Sequence, residues 1–205
     1  SFATEAHELP SARGQGEPLS GRFAMVAGES FEHVLLDDDK QALLLASDAG
    51  YGFVAEYSDL LSRNKAGKAV LSLPVGAKVL PPVVVKQPDT DLVLCISNEG
   101  RMLVFPVADL PKLSKGKGNK LMSIPSARAA SREEYVCQLA IVPADGSVTL
   151  VAGKRKLGLK ADDLAHYHGE RGRRGNKLPR GLQRIDEVQV SLGNDTSSDQ
   201  TSSVE

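Results

Sequence analysis

An all-β fold built from repeated blades is what this sequence predicts. Three observations carry that expectation: a marker recurring about every 50 residues, short β-branched runs paired across glycine turns, and almost no stretch with helical periodicity. The marker is an acidic residue followed by leucine, at Glu8-Leu9, Asp59-Leu60, Asp109-Leu110 and Asp163-Leu164, with the leucines 51, 50 and 54 residues apart. Seven residues before each leucine stands a large apolar residue: Phe2, Phe53, Leu103 and Leu157. Ten or eleven residues before it, in the three later copies, stands Gly50, Gly100 or Gly153. A few residues after it comes a glycine-rich basic box.

The elements follow in chain order. Residues 42–47 and 53–57 flank Gly50 as the first hairpin. The run Leu92-Val93-Leu94-Cys95-Ile96 is short, rich in β-branched residues and bounded by turn formers, as a buried strand should be. Asn98-Glu99-Gly100 then supplies the turn, 102–105 returns, and Pro106 ends the strand. Residues 148–152 and 156–159 repeat the hairpin around Gly153, and the alternation of Val188 and Val190 with polar neighbours predicts a half-buried closing strand. Residues 126–138 are the single helix candidate. A four-stranded repeat of this length is propeller-like, each copy a blade that cannot bury both faces alone. Ser1 aligns with Gly52, so the chain is expected to start partway through a blade, as a fragment. Three whole blades and one partial blade are expected within a domain spanning 1–190, at roughly 1–20, 21–73, 74–125 and 126–190. The polar, acidic stretch 191–205 is expected to be disordered.

Composition narrows the function. Apolar residues make up 41% of the chain and aromatics 4% with no tryptophan, so the core must come from Leu, Val, Ile and Ala. No apolar run approaches the roughly 18 residues of a membrane helix, and no signal peptide is expected, since no charged stretch followed by an apolar one opens the sequence. Two cysteines, Cys95 and Cys137, are too few for a secreted disulfide framework and suit a reducing cytosol. The net charge of −1 conceals a strong asymmetry: 8 basic and 14 acidic side chains in 1–100, 17 basic and 7 acidic in 101–184, and 5 acidic with no basic in 185–205. A central block of +10 is the footprint of a polyanion-binding face.

The boxes read Arg13-Gly14-Gln15-Gly16, Arg63-Asn64-Lys65-Ala66-Gly67-Lys68, Lys115-Gly116-Lys117-Gly118-Asn119-Lys120 and Arg171-Gly172-Arg173-Arg174-Gly175. Glycine between basic residues lets a backbone approach a ligand, and phosphate oxygens accept from both amide N–H groups and Lys or Arg. Loops in one register of successive blades would form a basic track on which a duplex bends, bound without regard to sequence. The boxes, with Lys154, Arg155, Lys177 and Arg180 from the same basic block, are therefore the DNA-binding candidates. The first box, with one base and one acid at Glu17, is expected to contribute least, and Asp37-Asp38-Asp39 is expected to sit off the track as a solvated hairpin tip.

Other features carry less. His166 and His168 are two apart, but no Cys lies near them in sequence to favour a metal site. The third box lacks the Gly-x-x-x-x-Gly-Lys-[Ser/Thr] pattern of a phosphate-binding loop. Arg171 to Gly175 could serve RNA as an Arg-Gly segment, but its blade register argues otherwise. Cys95 reads as core, and no nucleophile–base–orienter set is present, so the chain is expected to be catalytically silent.

The stretches Arg13-Gly14-Gln15-Gly16-Glu17-Pro18-Leu19, Ala46-Ser47-Asp48-Ala49-Gly50-Tyr51-Gly52-Phe53, Leu113-Ser114-Lys115-Gly116-Lys117-Gly118-Asn119-Lys120 and Gly169-Glu170-Arg171-Gly172-Arg173-Arg174-Gly175 resemble the C-terminal domains of the A subunits (ParC) of bacterial topoisomerase IV. The resemblance covers about 1–190. It implies a partial β-pinwheel, a propeller variant whose blades exchange strands, with an outer rim that binds and bends duplex DNA for a type II topoisomerase. It also implies an A2B2 holoenzyme with the ParE subunit, possible contact with a condensin-like (MukB-type) complex, and a cytoplasmic, nucleoid-associated location. ATP, Mg2+ and the catalytic tyrosine would belong to the rest of the holoenzyme, leaving this domain without a cofactor. The sister gyrase A family carries Gln-Arg-Arg-Gly-Gly-Lys-Gly where this chain has the degenerate first box, so modest bending rather than tight wrapping is expected. A protein-interaction propeller with incidental basic boxes is the alternative.

Overall fold

The computed structural model describes residues 1–5, 8–9, 14–36, 40–62 and 64–192. Eleven strands form three antiparallel sheets among these residues. In the first sheet β1 (Ala42–Ser47) and β2 (Tyr51–Glu56) form a hairpin, and β3 (Val83–Val85) pairs with β1. In the second, β4 (Leu92–Ser97) and β5 (Arg101–Pro106) form the hairpin. In the third, β8 (Ser147–Ala152) and β9 (Arg155–Leu159) do so. The return strands are β7 (Val136–Val142) on β4 and β11 (Glu187–Ser191) on β8.

The fourth strand of each of the first two sheets comes from the next repeat. β6 (Asn119–Lys120) lies beyond the second hairpin yet pairs with β2, and β10 (Asn176–Lys177) lies beyond the third yet pairs with β5. The same exchange is visible at Ser1, whose carbonyl accepts from Lys68 N–H at 2.7 Å and whose backbone nitrogen donates to the Lys68 carbonyl at 2.6 Å. Ser1, Gly52 and Met102 are thus equivalent, as are Lys68, Asn119 and Asn176. The third sheet has three strands among the described residues, with β9 at its edge. This all-β, strand-exchanged arrangement is the pinwheel that the family resemblance implies.

The acidic-leucine marker has a local cause. After each hairpin the chain makes a single helical turn: α1 (Tyr57–Leu60), a 3-10 turn at Val107–Asp109, and α3 (Ala161–Leu164). Asp59 accepts from Glu56 N–H at 3.2 Å and Asp163 from Lys160 N–H at 3.0 Å, satisfying amides that a helix start leaves open. The three later leucines turn inward, with Leu110 and Leu164 buried and Leu60 half-buried, whereas Leu9 of the first copy is exposed. The residues seven positions earlier divide in the same way: Phe53 and Leu103 are buried, whereas Phe2 and Leu157 are half-buried.

The hairpin strands of the first two sheets bury both faces, which explains their unbroken apolar runs, while β9 and β11 of the third sheet are largely exposed. One core lies between the first and second sheets (Leu44, Val54, Cys95, Phe105), a second between the second and third (Leu94, Met102, Val104, Leu150), and a third on the outer face of the first (Leu43, Leu45, Phe53). The helix expected over 126–138 is a correction. Only Ser126–Ala130 (α2) is helical; Arg132 turns left-handed at φ 62°, and 136–142 becomes β7 because β4 offers it a full ladder of partners. Ser191, the first residue of the expected disordered stretch, ends β11. Residues 193–205 lie outside the described residues.

Candidate nucleic-acid interface

Strand exchange decides where the basic boxes lie. The third box runs into β6 and the fourth immediately precedes β10, so each sits on the seam between its own sheet and the preceding one. One glycine of each box is demanded by this crossing. Gly118 (φ 76°) is pressed against the Gly52 backbone and Gly175 (φ 72°) against that of Met102, where no Cβ fits. The other positions differ: a Cβ at Gly116 would meet nothing within 4 Å. Gly116 and Gly172 are held instead by a left-handed backbone, at φ 133° and 81°, so neighbour contact and backbone conformation together account for the box glycines.

Side by side, the candidate cations fall into two groups. Arg13 and Arg63 lie outside the described residues, as do Asp37, Asp38 and Asp39. Lys65, Lys115, Lys154, Lys177 and Arg180 are exposed and make no ion pair among the described residues. Lys117 and Lys120 are exposed too, and their ammonium groups lie 4.4 and 5.9 Å from the centroid of the Tyr51 ring. Arg155 opens β9, its guanidinium packed over Gly181. The rest are engaged by the protein. Lys68 donates to the Asp59 carbonyl at 2.5 Å. Arg171 donates to the Lys120 carbonyl at 2.7 Å, and Arg173 bridges Glu170 at 2.8 Å on the open surface. Arg174 reaches Glu134, whose carboxylate is 1% exposed and also holds Arg128, at 2.7 and 2.8 Å.

Sequence reasoning missed several members of this surface. Arg101 donates to the Gly175 carbonyl at 3.1 Å, fixing the end of the fourth box to the second hairpin. Arg101, Arg174, Lys177 and Arg184 line an open groove of about 780 Å³, with Glu99 and Asp186 also on its wall. Tyr51 faces two lysines that lie more than 60 residues further on, a pairing that no local pattern announces.

Burial pushes the Cys95 thiol far above its ordinary value and that of Cys137 up to about 11, so both are neutral thiols at physiological pH. No group of three or more His, Cys, Asp or Glu could hold a metal ion among the described residues, and no helix is long and apolar enough to cross a membrane. His166 instead stands edge-on to Tyr167, with ring centroids 4.9 Å apart.

Comparison with known proteins bears on this arrangement. The family "DNA gyrase C-terminal domain, beta-propeller" matches residues 41–86 and 91–127. The A subunit of DNA topoisomerase 4 from Pseudomonas aeruginosa is 58% identical over 192 residues, which cover 94% of this chain and 26% of that protein. The Escherichia coli K12 protein of the same name is 53% identical over 93% of this chain and 25% of its own length. The chain thus spans about a quarter of the curated relatives it matches. Among solved structures, the E. coli ParC C-terminal domain superposes with a TM-score of 0.87 at 52% identity, covering 93% of this chain and 77% of that one. A DNA gyrase A C-terminal domain shares the fold, with a TM-score of 0.58 at 19% identity over 75% of this chain and 50% of the other.

Proposed function

Because the chain belongs to the family of C-terminal domains of DNA topoisomerase IV A subunits, we propose that it is a non-catalytic element that grips duplex DNA by its phosphates and bends it modestly. The segment so held is offered to the rest of a type II topoisomerase for strand passage, in unlinking and relaxing DNA. The observation that carries this reading is the alignment of the third and fourth boxes on successive seams, with Lys115, Lys117, Lys120 and Lys177 exposed. Exposed, unpaired cations on rigid loops attract phosphates of any sequence, and each phosphate neutralised releases counterions. The reading treats 1–190 as one DNA-binding domain, assigns it no cofactor, and leaves ATP and Mg2+ to the remainder of an A2B2 holoenzyme with ParE. Contact with a condensin-like complex and a nucleoid-associated, cytoplasmic location belong to the same proposal.

Titration of duplex DNA at several salt concentrations tests it. If about six phosphates are neutralised, log K falls against log salt with a slope of about −0.9 per phosphate. The triple change Lys115→Ala, Lys117→Ala, Lys120→Ala weakens binding more than Arg13→Ala. A flat salt response, or strong preference for one short sequence, overturns the reading. Supercoils constrained by the isolated chain would overturn its choice of bending over wrapping.

A further inference from the structure

The third and fourth boxes touch along the strand of the third, and two lysines of that third box lie beside an aromatic ring from a different repeat. Tyr51 opens β2 immediately after the turn glycine and stands opposite Lys120 of β6 in the exchanged ladder. Leu121 N–H donates to the Gly50 carbonyl at 2.8 Å, which fixes β6 across the mouth of the first hairpin. The ammonium of Lys117 then lies 4.4 Å from the ring centroid and that of Lys120 at 5.9 Å, both within the range where a ring quadrupole attracts a cation. On the other side, Arg171 donates to the Lys120 carbonyl at 2.7 Å and Gly172 N–H donates to the Leu121 carbonyl at 2.9 Å, so the fourth box rests on the strand of the third.

Lys117, Lys120 and Arg171 have no carboxylate partner among the described residues. Two ammonium groups beside one ring, with a guanidinium tied to the backbone of the strand that carries Lys120, repel one another, and an anion relieves that repulsion. A free lysine samples many rotamers and loses them on binding. A ring that already holds the ammonium removes part of that loss and leaves N–H donors pointing outward.

Resting on the DNA-binding reading above, we propose that Tyr51, Lys117, Lys120 and Arg171 form one composite site for backbone phosphodiesters, in which Tyr51 is a positioning residue. The boxes are then coupled elements of one grip rather than independent charges.

The test is a salt-dependent duplex titration of the 205-residue chain with Tyr51→Leu, Tyr51→Phe, Lys117→Ala, Lys120→Ala and Arg171→Ala, alone and combined. Lys154→Ala, outside the cluster, serves as the control. Tyr51→Leu is expected to weaken binding about three- to ten-fold, the range of a cation–π interaction that is partly desolvated, and to flatten the salt slope by about 0.9 for each phosphate no longer neutralised. Tyr51→Phe keeps the ring face and is expected to bind as the parent does. In the background Lys117→Ala, Lys120→Ala, the change Tyr51→Leu is expected to cost nothing further, which a general loss of structure would not reproduce.

Parent-like binding by Tyr51→Leu, or a full additional cost in the lysine-free background, overturns the composite site. If Tyr51→Leu fails to fold, the cycle of Lys117→Ala with Arg171→Ala decides: coupling supports the site and strict additivity overturns it. A parent chain that shows no salt-dependent duplex binding overturns the DNA reading and this inference with it. Binding that is weakened by Lys154→Ala and untouched by every cluster variant overturns this inference alone.

Discussion

Glu134 shows how one buried charge can redirect a surface cation. Its carboxylate is 1% exposed and held by Arg128 and Arg174, both of which still reach water. Deleting the arginines strands a buried anion, whereas neutralising the acid frees two guanidiniums that can hydrate. The double change Arg128→Ala, Arg174→Ala is therefore expected to cost about 3–5 kcal/mol in denaturant unfolding, and Glu134→Gln clearly less. By the same logic Arg174→Ala should reduce DNA affinity less than Lys177→Ala, whose ammonium has no such commitment. The thiols make a second residue-scale prediction. Cys137 ionises near 9 when unfolded and at about 11 when folded, because burial penalises its thiolate. The folded state thus holds the proton more tightly. This group's contribution to stability is complete below pH 9 and falls as pH rises through the window from 9 to 11. Unfolding midpoints measured across that window should decline, and the Cys137→Ser variant should decline less.

At the scale of the element, the exchanged strands β6 and β10 are two residues long and gain their specificity from the crossings that precede them. Gly118→Ala and Gly175→Ala each place a Cβ into a neighbouring backbone at positive φ. We expect each to destabilise by at least about 1–3 kcal/mol, with hydrogen exchange rising at both partner sheets. Gly158→Ala, in β9 with nothing within 4 Å and an ordinary φ, should be tolerated in the same measurement. The contrast also explains what was legible in the sequence. The acidic-leucine marker could be read because its physics is local, an aspartate capping an amide three residues back and a leucine folding under it. The hairpins could be read because β-branched runs flank turn residues. The exchange could not, since a two-residue strand has no periodicity and Asn119 meets Gly52 through backbone groups that every residue carries. The Lys117–Tyr51 pairing was hidden for the same reason. The helix expected over 126–138 failed after 130 because periodicity cannot weigh the ladder that β4 offers 136–142.

For the whole molecule, the open cations concentrate where 101–184 carries its excess charge, on the seams on either side of the second sheet. Shape and charge therefore point the same way, and on the proposed reading DNA would be gripped in the middle of the array. The exchange of strands has a further consequence for how the chain comes into being. The first sheet lacks its fourth strand until residue 120 has been synthesised, and the second lacks its own until residue 177. A nascent chain leaving the ribosome therefore always trails one unfinished sheet behind the newest hairpin, and each sheet is closed only by its successor. Released chains truncated between residues 106 and 118 should leave the first sheet open to protease, while those ending past 125 should protect it. Assembly then runs from the N-terminus onward like a zip, each tooth locked by the one that follows.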